Sequence, residues 1–203
     1  MLAATHKAAF HRILRPIAVV LVRLGVHPSA ITIGCPLLMA LVCYRFLQTR
    51  AVGPFCVAAL AVGALDGLDG AVAREGGQAS AFGAYLDALC DRYVDAMIAM
   101  TAAVVTGYWM LCMLVLVGGL LVSYAKARAA MEAPVSNTEW PDLMERTERG
   151  VLFLAGLAAG VFIPVRPFGR DLFWWTLVVL AVLVHLTVIQ RMRRAAAFIR
   201  KRA

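Results

Sequence analysis

Five aspartates, Asp66, Asp69, Asp87, Asp91 and Asp95, fall within 30 residues of otherwise mostly apolar sequence. Asp66 and Asp69 stand three apart, and Asp87 and Asp91 four apart. On helices, each pair shares a face. Gly76 and Gly77 lie in the short stretch between the pairs. Two neighbouring antiparallel helices would therefore bring four carboxylates together. Carboxylates crowded in this way repel one another, and a divalent cation relieves the repulsion. Oxygen ligands with no histidine or thiolate among them suit Mg²⁺, Mn²⁺ or Ca²⁺ and not zinc. Four carboxylates can hold two ions, an arrangement used in displacement at phosphorus.

The helices that must hold these acids read as membrane helices. Of 203 residues, 62% are hydrophobic and 16% charged. Soluble domains run near 45–50% apolar and about 25% charged. Mean hydropathy is +0.80. This composition excludes a disordered chain. It also opposes a soluble enzyme, because one core of this size cannot hide so much apolar surface. Each aspartate at the centre of a span costs about 2.5–3.5 kcal/mol, so five facing lipid would cost on the order of 12–17 kcal/mol. The acids are therefore expected in a wet cavity near the cytoplasmic end of their helices.

The expected fold is an all-α integral membrane protein, one domain over residues 1–203 with six transmembrane helices. Residues 1–30 read as a basic amphipathic helix lying in the interface, with Phe10, Ile13, Leu14, Ile17, Leu21 and Leu24 at helical spacing. Pro16 interrupts this pattern, and Gly25 and Pro28 end it. The six-helix bundle occupies residues 31–195. Its spans lie near Ile31–Leu47, Val52–Val72, Phe82–Thr106, Tyr108–Ala130, Gly150–Pro164 and Leu172–Gln190. Met131–Arg149, with Pro134 and Pro141, reads as a loop. Arg191–Arg202 reads as a basic tail, leaving the bundle over residues 196–203. Basic residues from His6 to Arg15 precede any long apolar run, so no cleavable leader is expected.

The formal net charge is +8, from 20 basic and 12 acidic residues. The basic residues are scattered among apolar spans, so nucleic acid is not the expected partner. With a cytoplasmic N-terminus, fifteen Lys and Arg fall on that side and four on the other. The positive-inside rule then places both termini, and the acids, at the cytoplasmic face of the cell membrane. Cys35, Cys43, Cys56, Cys90 and Cys112 form no CxxC pair and read as small buried hydrophobes.

Glycines accompany the acids. Gly63, Gly67, Gly70 and Gly83 are small residues of the kind that let membrane helices approach. Gly70 follows Asp69 directly, and Gly83 lies one turn before Asp87, where a bulky ligand could reach the metals. Arg74, one turn after Gly70, is a candidate phosphate ligand. The whole pattern is Asp66-x2-Asp69-Gly70-x2-Ala73-Arg74-x8-Gly83-x3-Asp87-x3-Asp91. It resembles the signature of the CDP-alcohol phosphotransferase family at all eight fixed positions. The resemblance implies transfer of a phosphatidyl-type group from CDP-diacylglycerol, or a similar CDP-lipid, to an alcohol with release of CMP. It implies that Asp66, Asp69 and Asp87 bind divalent metal, Mg²⁺ or Mn²⁺, with two ions per site. It implies that Asp91 is the general base, close to the same metals. Gly70, Ala73, Arg74 and Gly83 would line the CDP-lipid pocket. The stretch from Gly25 to Thr32 resembles the family's entry to its first span, with Thr32 approaching the nucleotide. The family commonly forms homodimers.

Cations bear on the acceptor. Lys126 ends the fourth span, Arg146 and Arg149 precede the fifth, and Arg191 ends the sixth. Three helices facing one leaflet would thus offer a phosphate clamp. The stretches Ser123–Ala129, Glu145–Arg149 and Thr187–Arg191 resemble those of phosphatidylinositol-phosphate synthases. That likeness implies inositol phosphate as the small phosphorylated alcohol, held by Lys126, Arg146 and Arg191. Glycerol phosphate is the rival acceptor. A small ion or proton transporter is the competing class, since intramembrane carboxylates also mark ion pathways. It would spread its acids across several spans; here the spans four to six carry none in their interiors. His185 is expected to pack or hydrogen-bond within its span.

Overall fold

A computed structural model describes residues 14–132 and 144–200. Every regular element among them is helical. Residues 14–23 form the helical part of α1. Then come α2 (Pro28–Thr49), α3 (Val52–Glu75), α4 (Ala81–Thr106), α5 (Trp109–Glu132), α6 (Arg146–Phe162) and α7 (Leu172–Arg200), with a single 3-10 turn at Pro167–Gly169. Packing divides the chain into two units, Met1–Met97 and Ile98–Ala203, and the boundary falls inside α4.

Among the described residues, four helices are long and apolar enough to cross a membrane: α2, α3, α5 over Trp109–Met131, and α7. The other two expected spans fall short for different reasons. Asp87, Asp91, Arg92 and Asp95 crowd α4 with charge. α6 has 17 residues, about 25 Å of rise, against the roughly 20 residues that a bilayer needs.

Several expected boundaries move. Gly25, at φ +71°, ends α1. Pro28, however, opens α2: its fixed φ and missing N–H suit the first helical position. His27 is the N-cap, and its Nδ1 accepts from Ser29 N–H at 3.3 Å. The stretch read as a loop up to Arg149 is already helical from Arg146, where Glu148 reaches back to accept from Glu145 N–H at 3.0 Å. The basic tail is helical through Arg200, because Ala195, Ala196 and Ala197 favour helix and no breaker follows Gln190. The expected residues 1–13 of the amphipathic helix, most of the 131–149 loop and residues 201–203 lie outside the described residues.

In the first unit, α2 and α3 form an antiparallel hairpin. Arg50 takes a left-handed φ of 54° at its turn, and Phe46 stacks on Phe55 with ring centroids 4.1 Å apart. In the second unit, α7 packs on both α5 and α6. Small residues permit this closeness. A Cβ on Gly118 of α5 would collide with Val184 of α7, and one on Gly156 of α6 would collide with Thr176. One turn on, a Cβ at Gly160 would lie 2.8 Å from Phe173 Cβ. His185 is satisfied within α7, with Nδ1 2.8 Å from Ala181 O. All five cysteines are free and buried.

Candidate metal and phosphate site

The end of α3 is fixed by its own backbone. Gly77 adopts φ +64°. Its N–H donates to Arg74 O, and Gln78 N–H donates to Ala73 O at 2.8 Å. This pair of bonds closes the helix in the glycine-dependent manner of a Schellman cap. Ser80 then starts α4, its Oγ accepting from Gly83 N–H at 3.0 Å. A Cβ at Gly83 would sit 3.2 Å from that Oγ. The cap therefore favours glycine at position 83 whether or not a ligand approaches.

Between these two helices, carboxylate oxygens of Asp66, Asp87 and Asp91 all lie within 4.8 Å of one another. The three side chains are half-buried. Ligands on opposite sides of an Mg²⁺-sized ion stand about 4 Å apart. An all-oxygen trio at this spacing, half open to solvent, fits a hard divalent cation. Arg92 extends one contact to the trio, with Nη2 3.5 Å from Asp91 Oδ2.

Asp69 is held differently. It is buried, and Thr32 Oγ1 on α2 donates to its Oδ2 at 2.6 Å. Its other oxygen accepts from Gly70 N–H at 2.5 Å. A three-residue step turns Asp69 about 60° away from Asp66 around the helix, toward α2. Thr32 therefore reaches the site through Asp69. Pro36 stands four residues after Thr32 inside α2 and brings no N–H to the helix ladder there. Arg74 is exposed, and its guanidinium folds back over Gly70: a Cβ there would lie 3.1 Å from Nη1. The small residue gives the cation room beside Asp69. Ala73, half-buried, lies on the same stretch. Asp95 is half-buried one turn beyond Asp91.

The second unit gathers cations on α5. Arg191 of α7 is 5% exposed, and its Nη1 donates to Val122 O. Arg149 of α6 is 8% exposed, and its guanidinium lies where a Cβ on Gly119 would stand 3.3 Å away. Gly119 and Val122 are one turn apart on α5, and half-buried Lys126 follows one turn later on the same face. Arg146, also half-buried, precedes Arg149 by one turn. The sequence named all four cations. Gly119 makes room for one of them, and because Arg149 comes from another helix this leaves no local signal in the sequence.

A family model described as CDP-alcohol phosphatidyltransferase matches residues 25–189. The archaetidylinositol phosphate synthase of Aeropyrum pernix is 32% identical over 190 residues, covering 94% of this chain and 93% of that protein. The crystal structure of Mycobacterium tuberculosis phosphatidylinositol phosphate synthase with CDP-DAG bound superposes with a TM-score of 0.78. Its identity is 27%, and the match covers 91% of this chain and 94% of that one. The same enzyme in complex with manganese and citrate also gives 0.78 at 27% identity, over 90% of this chain and 88% of that one.

Proposed function

The chain belongs to the CDP-alcohol phosphatidyltransferase family, and we propose that it moves a phosphatidyl-type group from CDP-diacylglycerol or a similar CDP-lipid to inositol phosphate. The observation that carries this reading is the oxygen-only trio of Asp66, Asp87 and Asp91 on two helices of one unit. The relatives named as inositol phosphate lipid synthases support the acceptor, as do the buried Arg149 and Arg191. The match to a family described as a phosphatidyltransferase opposes the competing class, an ion or proton transporter.

The chemistry needs a base, a counter-charge and two binding subsites. An acceptor hydroxyl is a weak nucleophile, so a side chain must take its proton as it attacks. Asp91 takes this role in our reading. The hydroxyl oxygen bonds to the lipid-side phosphorus, the pyrophosphate P–O bond breaks, and CMP leaves with the bonding electrons. Mg²⁺ or Mn²⁺, two ions in our reading, would neutralise the pyrophosphate and the departing phosphate when held by Asp66, Asp69, Asp87 and Asp91. Gly70, Ala73, Arg74 and Gly83 line the nucleotide pocket, and Thr32 acts there by fixing Asp69. Lys126, Arg146, Arg149 and Arg191 hold the acceptor phosphate. In this reading α2–α7 cross the membrane six times, α1 lies in the interface, and both termini and the site face the cytoplasm. The protein works in phospholipid synthesis as a homodimer.

An acceptor screen tests the proposal. Purified protein, CDP-diacylglycerol and Mn²⁺ or Mg²⁺ should release CMP with inositol phosphate and not with free inositol. Release with glycerol phosphate alone would overturn the acceptor. No release with any alcohol would overturn the transferase reading.

A further inference from the structure

α1 packs on the end of α3. Leu14 and Ala18 are buried against Leu68, Ala71 and Val72, and Ala18 is 0% exposed. Arg15 Nε lies 2.9 Å from Glu75 Oε1. A Cβ on Gly76 would meet Val22 Cγ2 at 3.5 Å, so α1 follows α3 to its C-cap.

These contacts divide the surface of α3 in two. Successive residues turn about 100° around a helix. Asp66, Asp69, Gly70, Ala73 and Arg74 therefore fill one side. Leu68, Ala71, Val72 and Glu75 fill the opposite side, and that side is the one α1 grips. No residue serves both faces. A shift in how α1 seats would move the site-bearing side of α3 without touching it.

Resting on the transferase reading above, we propose that α1 is a positioning element for the CDP-lipid half of the site. Arg15 and Glu75 are its positioning residues. Glu75 follows Arg74 directly and precedes the glycine cap, so the Arg15–Glu75 pair sets the rotation of the last turn of α3. The pair is exposed, and exposed ion pairs add little to global stability. Its effect is therefore expected on substrate affinity, with the melting temperature nearly unchanged. The buried Ala18 supplies the close approach, since a larger side chain there would lift α1 off Leu68 and Val72.

The test uses the full-length protein in detergent or vesicles. Arg15→Glu and Glu75→Arg should each raise the CDP-lipid KM about three- to tenfold, with kcat and the acceptor KM within about twofold of wild type. The double exchange should restore the KM to within about twofold. Ala18→Leu should reproduce the KM defect and speed hydrogen exchange at Gly76 and Gln78, whose N–H groups are bonded to Val72 O and Ala73 O. Single variants that match wild type would overturn the proposal. So would KM values that rise equally for both substrates, or a double exchange that fails to restore. Exchange at Gly76 and Gln78 is measured without turnover. A wild-type protein that transfers nothing would thus sink the transferase reading, while unchanged exchange in Ala18→Leu would sink the positioning role alone.

Discussion

The carboxylates of α3 and α4 and the arginines of α6 and α7 packed against α5 are both concentrations of like charge, but the chain holds them in opposite ways. Asp66, Asp87 and Asp91 are half-buried and converge within 4.8 Å. Arg149 and Arg191 are 8% and 5% exposed, and each packs on the backbone of α5. Half-burial leaves the acids partly hydrated, so they can be loaded and unloaded by an ion from solvent. Close packing fixes the guanidinium groups in direction before any ligand arrives, which is what bidentate recognition of phosphate requires. In the proposed function, one region supplies a mobile counter-charge, and the other a preorganised one. The first should therefore respond to substitution in the rate of chemistry, and the second in affinity for one substrate.

The largest effect should come from the first region. Asp91→Asn keeps the shape of the trio and removes its capacity to take a proton. A positioned general base contributes about 10²- to 10⁴-fold. We expect kcat to fall by that order, with both KM values changing by less than about fivefold. Steady-state kinetics of CMP release will show this. A variant retaining more than a tenth of wild-type kcat would assign the base elsewhere.

The second region should split the substrates. Arg191→Ala removes a charged donor from a buried site, a loss of about 1.5–3 kcal/mol. The acceptor KM should rise on the order of 10- to 100-fold while the CDP-lipid KM stays within about threefold. Gly119→Ala asks whether direction matters as much as charge. Its new Cβ would stand 3.3 Å from the Arg149 guanidinium, so the cation must give way without being lost. An acceptor KM raised by about three- to tenfold would indicate preorganisation. Equal rises for both substrates, in either variant, would argue against a dedicated phosphate subsite.

How much of this was legible in the sequence depends on how local each cause is. Asp87 and Asp91, four apart, meet Asp66 across a short turn as the spacing implies, but the expected fourth carboxylate, Asp69, does not join them. The glycine cap at Gly77 and the end of α1 at Gly25 are also local, and the sequence marked both. What escaped was set by partners distant in the chain. Asp69 leaves the trio because Thr32, 37 residues away, bonds it. Gly119 matters because Arg149 arrives from another helix. α6 starts before its apolar run because Glu145 acts as N-cap, which is not a usual residue there, and Glu148 completes the reach back to its N–H. Hydropathy falls after Gln190 while helix propensity does not, so α7 runs past the end of its apolar stretch. The apolar pattern implies six crossings, and among the described residues four helices meet both length and composition. The shortfall lies in α4, which carries the acids, and in the short α6.

The smallest expected effect tests the join between the two kinds of holding. Asp69 belongs to the acidic region but is fixed as the arginines are, buried and bonded on both oxygens. Thr32→Val keeps the volume and loses the 2.6 Å hydrogen bond to Asp69. A typical net loss is about 1 kcal/mol, roughly a fivefold change in an equilibrium constant. It should be read as weaker Mn²⁺ binding by titration calorimetry, with a matching rise in the CDP-lipid KM and little change in kcat. Thr32→Ser retains the donor and should stay within about twofold of wild type. If Ser and Val behave alike, Thr32 matters through its packing at 3% exposure. If Val alone is impaired, the hydroxyl is what keeps Asp69 turned toward α2. The acidic region would then combine a rigid carboxylate with three adaptable ones, and the contrast with α5 would be one of proportion.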